Sequence, residues 1–284
     1  MQTAANAEQL TDLGSIGLVL ATSSLALAPI TLVIARRLFP GRNVVFRRWG
    51  FSHLLAVILA IGAGLALGAA LFPLPQEGNA LVPAFARMTL GLGAGGILAA
   101  FFARKYEPEG LRALGFPLER NLQALVAGWT SYAMLLPGLV GVMLVWSWIL
   151  AHTDPTVGLQ PALQHALELP RGERWPAVLL GVFVLPFFEE LLFRGFLQPL
   201  LVQNLHERAG VALTALCFAL LHGTAAFLPI FAFALLLGGL MLRTQRLVAT
   251  WGVHALHNAL VFATVFWFPD AVHKLQGAGL LWSF

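Results

Sequence analysis

The sequence predicts an all-α protein: a polytopic transmembrane helix bundle of about eight spans, with a polar intramembrane cavity in its C-terminal half. Of its 284 residues, 58% are hydrophobic and 11% are charged, and the mean hydropathy is +0.80. Soluble domains carry about 25% charged residues, so this composition indicates a membrane protein. The cavity is predicted from two adjacent carboxylates, Glu189 and Glu190, which lie with Arg194 in an almost wholly apolar segment.

The spans are predicted from apolar runs that reach or approach the ~20 residues a helix needs to cross a bilayer. They fall at residues 14–35, 49–72, 81–103, 122–150, 176–200, 211–228, 229–242 and 248–268. The seventh run is short and abuts the sixth at Pro229, which leaves seven spans as an alternative.

The basic residues of the loops predict the orientation of these spans. With the N-terminus outside, the cytoplasmic loops hold Arg36, Arg37, Arg42, Arg47, Arg48, Arg104, Lys105, Arg112, Arg120, Arg208, Arg243 and Arg246. The outside segments hold Arg171, Arg174 and Lys274. Because cytoplasmic loops are enriched in Lys and Arg, both termini are predicted outside the cytoplasm. The net charge of +4 arises in these loops and does not indicate nucleic-acid binding.

Three further segments are interpreted as structural. Residues 91–96 match G-x-G-x-x-G but lie inside the third span, so they are predicted to pack helices, like Gly64 and Gly68, and not to bind a dinucleotide. The loop 152–175 is predicted to hold a short interfacial helix, and the tail 269–284 to rest at the membrane interface. The single cysteine, Cys217, excludes an internal disulfide framework.

The ionisable and amide side chains inside the membrane are concentrated in the last four predicted spans. They are Glu189, Glu190, Arg194, His222, His254, His257 and Asn258. A charged side chain in hydrocarbon costs from ~3 to more than ~10 kcal/mol, so such residues face a polar interior and indicate function by default.

The two carboxylates are predicted to play different parts. Glu190 and Arg194 are four residues apart, so they share a helix face and can pair. Glu189 lies about 100° around the helix and is left to point elsewhere. A purely structural interpretation explains Arg194 but explains a second intramembrane carboxylate poorly.

The remaining polar residues admit two interpretations each. His222 is predicted near the middle of the sixth span, where a lone histidine more often donates to a backbone carbonyl. His254 and Asn258 share a helix face, so they either bring two N–H donors to one point, as an oxyanion hole needs, or form inter-helix hydrogen bonds. His257 lies off that face and is interpreted as a packing or interfacial residue.

Three motifs in this order resemble those of the CPBP family. They are Glu-Glu-x-x-x-Arg at 189–194, Phe-x-x-x-His at 218–222 and His-x-x-x-Asn at 254–258. This family comprises CAAX-processing and bacteriocin-processing intramembrane proteases, and its eukaryotic members are type II CAAX prenyl endopeptidases. The resemblance covers roughly 170–265. It implies a catalytic core with a short C-terminal tail at 151–284, preceded by variable N-terminal transmembrane helices at 1–150.

The resemblance also implies a role for each motif residue. Glu189 and His222 would bind and activate the attacking water, and His254 with Asn258 would stabilise the oxyanion. Glu190 and Arg194 would shape the site. The resulting prediction is a glutamate-dependent intramembrane endopeptidase whose substrates are membrane-associated proteins or peptides, with CAAX-type prenylated ones among them.

The sequence leaves the cofactor open. The protein could be a metalloprotease in which Glu189, His222 and His254 supply three ligands to zinc and leave a position for water. Without a metal, Glu189 and His222 would act on water unaided. The separated residues lack the H-E-x-x-H spacing that would have favoured zinc strongly.

Two other classes of protein could carry the same polar residues. One is a non-catalytic membrane scaffold or a bacteriocin self-immunity protein with the same fold, although such a protein would be free to lose the intact residue set. The other is a proton-coupled transporter. The absence of an internal sequence repeat disfavours the transporter.

Overall fold

The computed structural model describes residue 12, residues 14–24, 47–154 and 161–270, and residues 272 and 273. Over this part of the chain all the regular elements are helical, and the predicted all-α class is confirmed. The α-helices are α1 (Gly14–Ser24), α2 (Phe51–Leu71), α3 (Leu81–Tyr106), α4 (Asn121–Thr153), α5 (Pro161–Leu167), α6 (Arg171–Asn204), α7 (Glu207–Leu220), α8 (Phe227–Thr244) and α9 (Leu247–Trp267). Short 3₁₀ turns lie at Gly110–Leu114 and Thr224–Ala226.

Among the described residues, six helices are long and apolar enough to cross a bilayer. They are α2, α3, α4, α6, α8 with its preceding turn, and α9. The chain is therefore an integral, multi-pass membrane protein. The predicted first span is described only as far as Ser24, and its remainder lies outside the described residues, as does most of the predicted tail 269–284.

The predicted sixth span, 211–228, differs from the observed helix. Helix α7 has 14 residues and ends at Leu220. At 1.5 Å per residue it is about 21 Å long, shorter than the ~30 Å hydrocarbon layer. The chain turns back at Gly223, whose φ of +80° is a conformation that glycine adopts without a steric cost. The apolar run continues through this turn, which is why hydropathy alone did not reveal it.

The helix directions bring many of the basic loop residues to one end of the bundle. The Leu247 amide donates to the Gly115 carbonyl (2.8 Å), and Nε of Arg246 donates to the Glu119 carbonyl (2.8 Å). The end of α8 thus lies against the start of α4. The basic residues collected there include Arg112, Arg120, Arg243 and Arg246. This clustering agrees with the loop pattern, and the side of the membrane on which it lies stays a prediction.

Helices α2 and α3 cross at small residues, as the glycine pattern predicted. A β-carbon at Gly64 would lie 2.5 Å from the Leu90 carbonyl oxygen, and one at Gly68 would lie 2.8 Å from Cα of Arg87. The motif glycines of α3 are buried between α2 and α6: a β-carbon at Gly96 would lie 2.9 Å from the Phe188 ring. Close approach of backbones through small residues is a common mode of helix association in membranes.

We expect Gly64→Ala to destabilise the protein by about 1–3 kcal/mol, because the added methyl group meets backbone that cannot move aside. Gly62→Ala is the matched control: no atom of another helix lies within 4 Å of the new methyl group, and replacing a helical glycine stabilises by about 0.5–1 kcal/mol. Thermal unfolding of both variants in one detergent checks this. Equal midpoints for the two variants would contradict the proposed α2–α3 crossing.

Candidate active site

Helix α6 carries both glutamates and departs twice from α-helical geometry. Its π-helical stretches are Leu179–Val184 and Leu191–Leu197, and a proline follows each by two residues, at Pro186 and Pro199. Proline lacks the N–H that would continue the α-helical ladder. In a π-bulge the backbone N–H groups donate to the carbonyl five residues earlier instead of four. Such bulges are frequent at functional sites. The α-helical segment between the bulges, Leu185–Glu190, presents both glutamates.

The first π-bulge offers carbonyl oxygens that accept hydrogen bonds from α9. Nδ2 of Asn258 donates to the Gly181 carbonyl (2.8 Å), and Nε1 of Trp251 donates to the Phe183 carbonyl (3.0 Å). In an α-helix the backbone N–H of Leu185 would donate to the Gly181 carbonyl. Here it donates to the Leu180 carbonyl, so the Gly181 carbonyl is left for Asn258. The two α9 side chains therefore fix the position of α9 against the glutamate-bearing helix.

The predicted Glu190–Arg194 pair is present, and both side chains are fully buried. Nη1 of Arg194 lies 3.1 Å from Oε1 of Glu190. The guanidinium also lies 4.5 Å from the centre of the Phe218 ring, and its Nη2 donates to the Ala234 carbonyl (3.4 Å). A buried arginine thus has a carboxylate, an aromatic face and a carbonyl as partners, which offsets its loss of hydration.

His254 lies between the two carboxylates. Its Nδ1 is 3.0 Å from Oε1 of Glu190, and its Nε2 is 3.6 Å from Oε2 of Glu189. Because an ionised carboxylate only accepts hydrogen bonds, Nδ1 carries the hydrogen toward Glu190. Two carboxylates and the guanidinium of Arg194 sum to one negative charge, so a second proton on His254 makes the group of four side chains neutral.

A cavity of about 210 Å³ lies beside this group, inside the bundle. Its polar lining consists of Glu189, His222, His254, His257 and Asn258. Glu189 and His254 are only slightly exposed, at 13% and 5% of their side-chain surface. Four of the six site residues predicted from the sequence thus meet at one cavity, while Glu190 and Arg194 are buried behind it.

His222 does not lie within a membrane-spanning helix, and that part of the prediction was wrong. It follows the end of α7, where its backbone N–H donates to the Ala219 carbonyl and Gly223 then reverses the chain. Its Nδ1 lies 2.8 Å from the Phe218 carbonyl. Since a carbonyl accepts, Nδ1 carries the hydrogen, and in the neutral ring Nε2 keeps the lone pair.

His257 is a cavity residue that the sequence interpretation placed away from the site. Its ring stacks on Phe233 with 4.5 Å between centroids, and its Nδ1 lies 2.9 Å from the Tyr132 hydroxyl. One turn of helix separates it from His254, and both side chains reach the cavity because α9 packs against α4 on one side and against α6 on the other.

Helix α5 was predicted only to lie at the interface, yet it covers part of the cavity. Leu163 and Ala166 line it, and both are buried with Leu169 against α3, α6 and α9. Their spacing of three residues is the signal that could have indicated a packed helix.

Within the described ranges no group of three or more His, Cys, Asp and Glu side chains is arranged to hold a metal ion. His254 directs one ring nitrogen to Glu190 and the other toward Glu189, so the three ligands considered from the sequence do not form a ready metal site.

The fold and the site define a class: a polytopic helical membrane protein with paired carboxylates, an arginine and histidines at a cavity inside the bundle. Residues 171–260 match the family model described as type II CAAX prenyl endopeptidase Rce1-like, so the resemblance to this protease family is confirmed over that segment. Neither a curated protein nor a solved structure matches the chain. A protease family of this kind implies a lipid bilayer environment and membrane-associated peptide substrates.

We expect Arg194→Leu to destabilise the protein by about 3–5 kcal/mol, because it leaves the fully buried Glu190 without its cation. Arg112→Leu is the matched control. Arg112 also contacts a glutamate, Glu119, at 3.2 Å, but both side chains are more than half exposed, so the loss of stability should be much smaller. Thermal unfolding in detergent measures both. Similar losses in the two variants would contradict the buried ion pair.

Proposed function

We propose that this protein is a glutamate-dependent intramembrane endopeptidase that hydrolyses peptide bonds of membrane-associated substrates, including CAAX-type prenylated peptides. The observation that supports this most directly is the convergence of Glu189, His222, His254 and Asn258 on one cavity. Their side chains supply a proton acceptor and hydrogen-bond donors within one enclosed space, as hydrolysis of an amide requires.

In the proposed reaction Glu189 is the general base. Its carboxylate accepts a proton from a water molecule while the water oxygen bonds to the carbonyl carbon of the substrate. His222 holds the same water through Nε2, the ring nitrogen that its bond to the Phe218 carbonyl leaves with the lone pair. Positioned proton transfer of this kind contributes typically ~10²–10⁴-fold to a rate.

Asn258 and His254 are proposed to stabilise the oxyanion of the tetrahedral intermediate. The Asn258 amide has two N–H groups, and its bond to Gly181 uses one, which orients the other. His254 donates one N–H to Glu190, so it supplies a second donor only when both ring nitrogens carry hydrogen.

The reaction closes with the return of the proton. Glu189, now protonated, gives its proton to the amide nitrogen as the oxyanion re-forms the carbonyl and the C–N bond breaks, which yields a carboxylic acid and an amine. Glu190 and Arg194 contact no reacting atom in this scheme. Their role is to hold His254 in the orientation that the oxyanion requires.

We expect Glu189→Gln to lower kcat for a fluorogenic prenylated CAAX-type peptide by about 10²-fold or more, because the amide cannot accept the proton. The measurement uses purified protein reconstituted in lipid. Glu168→Gln, at an exposed glutamate before α6, is the matched control and should cleave like the wild type. Full activity in a folded Glu189→Gln variant would refute the mechanism. Absence of cleavage by the wild type would instead favour a scaffold or self-immunity role.

Adding a chelator to the cleavage assay distinguishes the metal-free mechanism from the zinc-dependent one. Because the proposed steps use only side chains, we expect EDTA or 1,10-phenanthroline to change the cleavage rate by less than about twofold. Loss of activity that added zinc restores would show that a metal takes part, and the water-activation scheme above would then be wrong.

A further inference from the structure

The side chain of His257 is a polar group at the active-site cavity that the proposed reaction does not use. His257 lies one turn of α9 beyond His254, which is about 4.5 Å further along the helix axis. Both histidines line the cavity that contains Glu189. An extended peptide advances about 3.3–3.6 Å per residue, so a substrate that lies along α9 brings the peptide group next to the cleaved bond to His257.

Tyr132 determines which ring nitrogen of His257 carries the hydrogen. The Tyr132 hydroxyl lies 2.9 Å from Nδ1 of His257, and Tyr132 is only 2% exposed. Within the described part of the chain this hydroxyl has no other hydrogen-bond partner. Because a buried donor without an acceptor is unfavourable, the hydroxyl donates to Nδ1. Nδ1 is then an acceptor, so the ring is neutral and carries its hydrogen on Nε2.

The Nε2–H group of His257 points toward the active-site cavity. The two nitrogens of an imidazole ring point in nearly opposite directions, and Nδ1 points to Tyr132 of α4. In the described lining of the cavity no residue comes from α4. Phe233 covers one face of the ring, at 4.5 Å between centroids. Among the described residues Nε2 has no hydrogen-bond partner and is not sealed from the cavity, so its hydrogen is left for a bound molecule.

The charges around the cavity indicate which acceptor this donor binds. Glu189 faces the cavity, and the one buried cation nearby, Arg194, is paired with Glu190. A substrate carboxylate would add another negative charge at a site of low dielectric, whereas a peptide carbonyl is a neutral acceptor. A peptide backbone inside a bilayer also needs partners for its carbonyl groups, because the hydrocarbon layer holds no water to supply them.

We propose that His257 is a substrate-binding residue whose Nε2–H donates to the peptide carbonyl next to the cleaved bond. Tyr132 is its positioning residue, because the hydroxyl holds the ring in the required tautomer. The proposal rests on the proposed endopeptidase function. It brings a residue of α4, which lies outside the three sequence motifs, into substrate recognition.

Two substitutions at His257 separate its two hydrogen bonds. Glutamine places its amide near the position of Nε2, so His257→Gln keeps the cavity donor and loses the bond to Tyr132. Asparagine places its amide near Nδ1, so His257→Asn keeps the bond to Tyr132 and loses the cavity donor. With a prenylated peptide in lipid, we expect His257→Asn to raise KM about three- to tenfold at unchanged kcat, and His257→Gln to stay within about twofold of the wild type. Equal KM values for the two variants would overturn the proposal.

Tyr132→Phe should raise KM less than His257→Asn does, because the ring can still adopt the Nε2–H tautomer without being held in it. Tyr106→Phe is the matched control. Tyr106 is the only other tyrosine of the chain, and it lies about 27 Å along α3 from the cavity residue Met88. The control should have the KM of the wild type. A lower kcat in Tyr132→Phe at unchanged KM would contradict a role in substrate binding.

A modified substrate tests the acceptor. An (E)-alkene in place of the peptide bond on one side of the cleaved bond, and then on the other, removes a carbonyl and keeps the shape of the chain. With the alkene at the position that His257 binds, wild type and His257→Asn should have the same KM. A difference in KM that persists with the alkene at each position overturns the assignment to a backbone carbonyl.

The tautomer is measured without any cleavage, by nitrogen NMR of isotope-labelled histidine in the detergent-solubilised protein. The His257 signals are assigned by their loss in His257→Gln. They should show hydrogen on Nε2 alone in the wild type and exchange between tautomers in Tyr132→Phe. Hydrogen on Nδ1, or on both nitrogens, overturns the proposal whatever the activity. The expected tautomer together with no cleavage by the wild type overturns the proposed function, and the substrate role of His257 with it.

Discussion

The ion pair between Glu190 and Arg194 is the constraint on which the rest of the bundle depends. Both side chains are fully buried, and taking two charges out of water costs several kcal/mol for each ion after relaxation. Their partners come from separate helices: Phe218 of α7, Ala234 of α8 and His254 of α9. These helices must approach α6 at one level for the pair to be tolerated, so the residues that satisfy the buried charges also assemble the cavity walls.

The two π-bulges of α6 explain how one helix serves both structure and site. The first, before Pro186, directs carbonyl oxygens to Asn258 and Trp251 of α9. The second, before Pro199, lies where the Phe196 carbonyl accepts the indole N–H of the buried Trp49 at 3.2 Å. Each departure from α-helical pairing is thus matched by a side-chain donor from another segment. Because a buried carbonyl without a partner is unfavourable, these donors fix α6 at both ends of the segment that carries the glutamates.

Much of this arrangement was predictable, because apolar runs and intramembrane charges leave few physical alternatives. The span positions of α2, α3, α6 and α9, the packing glycines and the Glu190–Arg194 pair all follow from local spacing. The turn at His222 was not predictable from hydropathy, since the apolar run continues through it. The pairing of His257 with Tyr132 joins helices 125 residues apart, and spacing within one helix contains no information about it. The orientation of the bundle and the roles of the site residues stay predictions.

His254 connects the buried pair to the proposed chemistry. Its Nδ1–H is directed to Glu190, so a neutral ring would turn an acceptor nitrogen toward Glu189, and two acceptors 3.6 Å apart repel unless a proton lies on one of them. A proton on Glu189 would remove the carboxylate that the proposed mechanism uses as its base. A proton on His254 instead leaves Glu189 a carboxylate and makes Nε2 a donor. Glu190 accepts from Nδ1 in either state, and Arg194 lies 3.1 Å from the same Glu190 oxygen. The ion pair buried behind the cavity therefore fixes the orientation of the His254 ring, which in the proposed mechanism decides which ring nitrogen can meet the oxyanion.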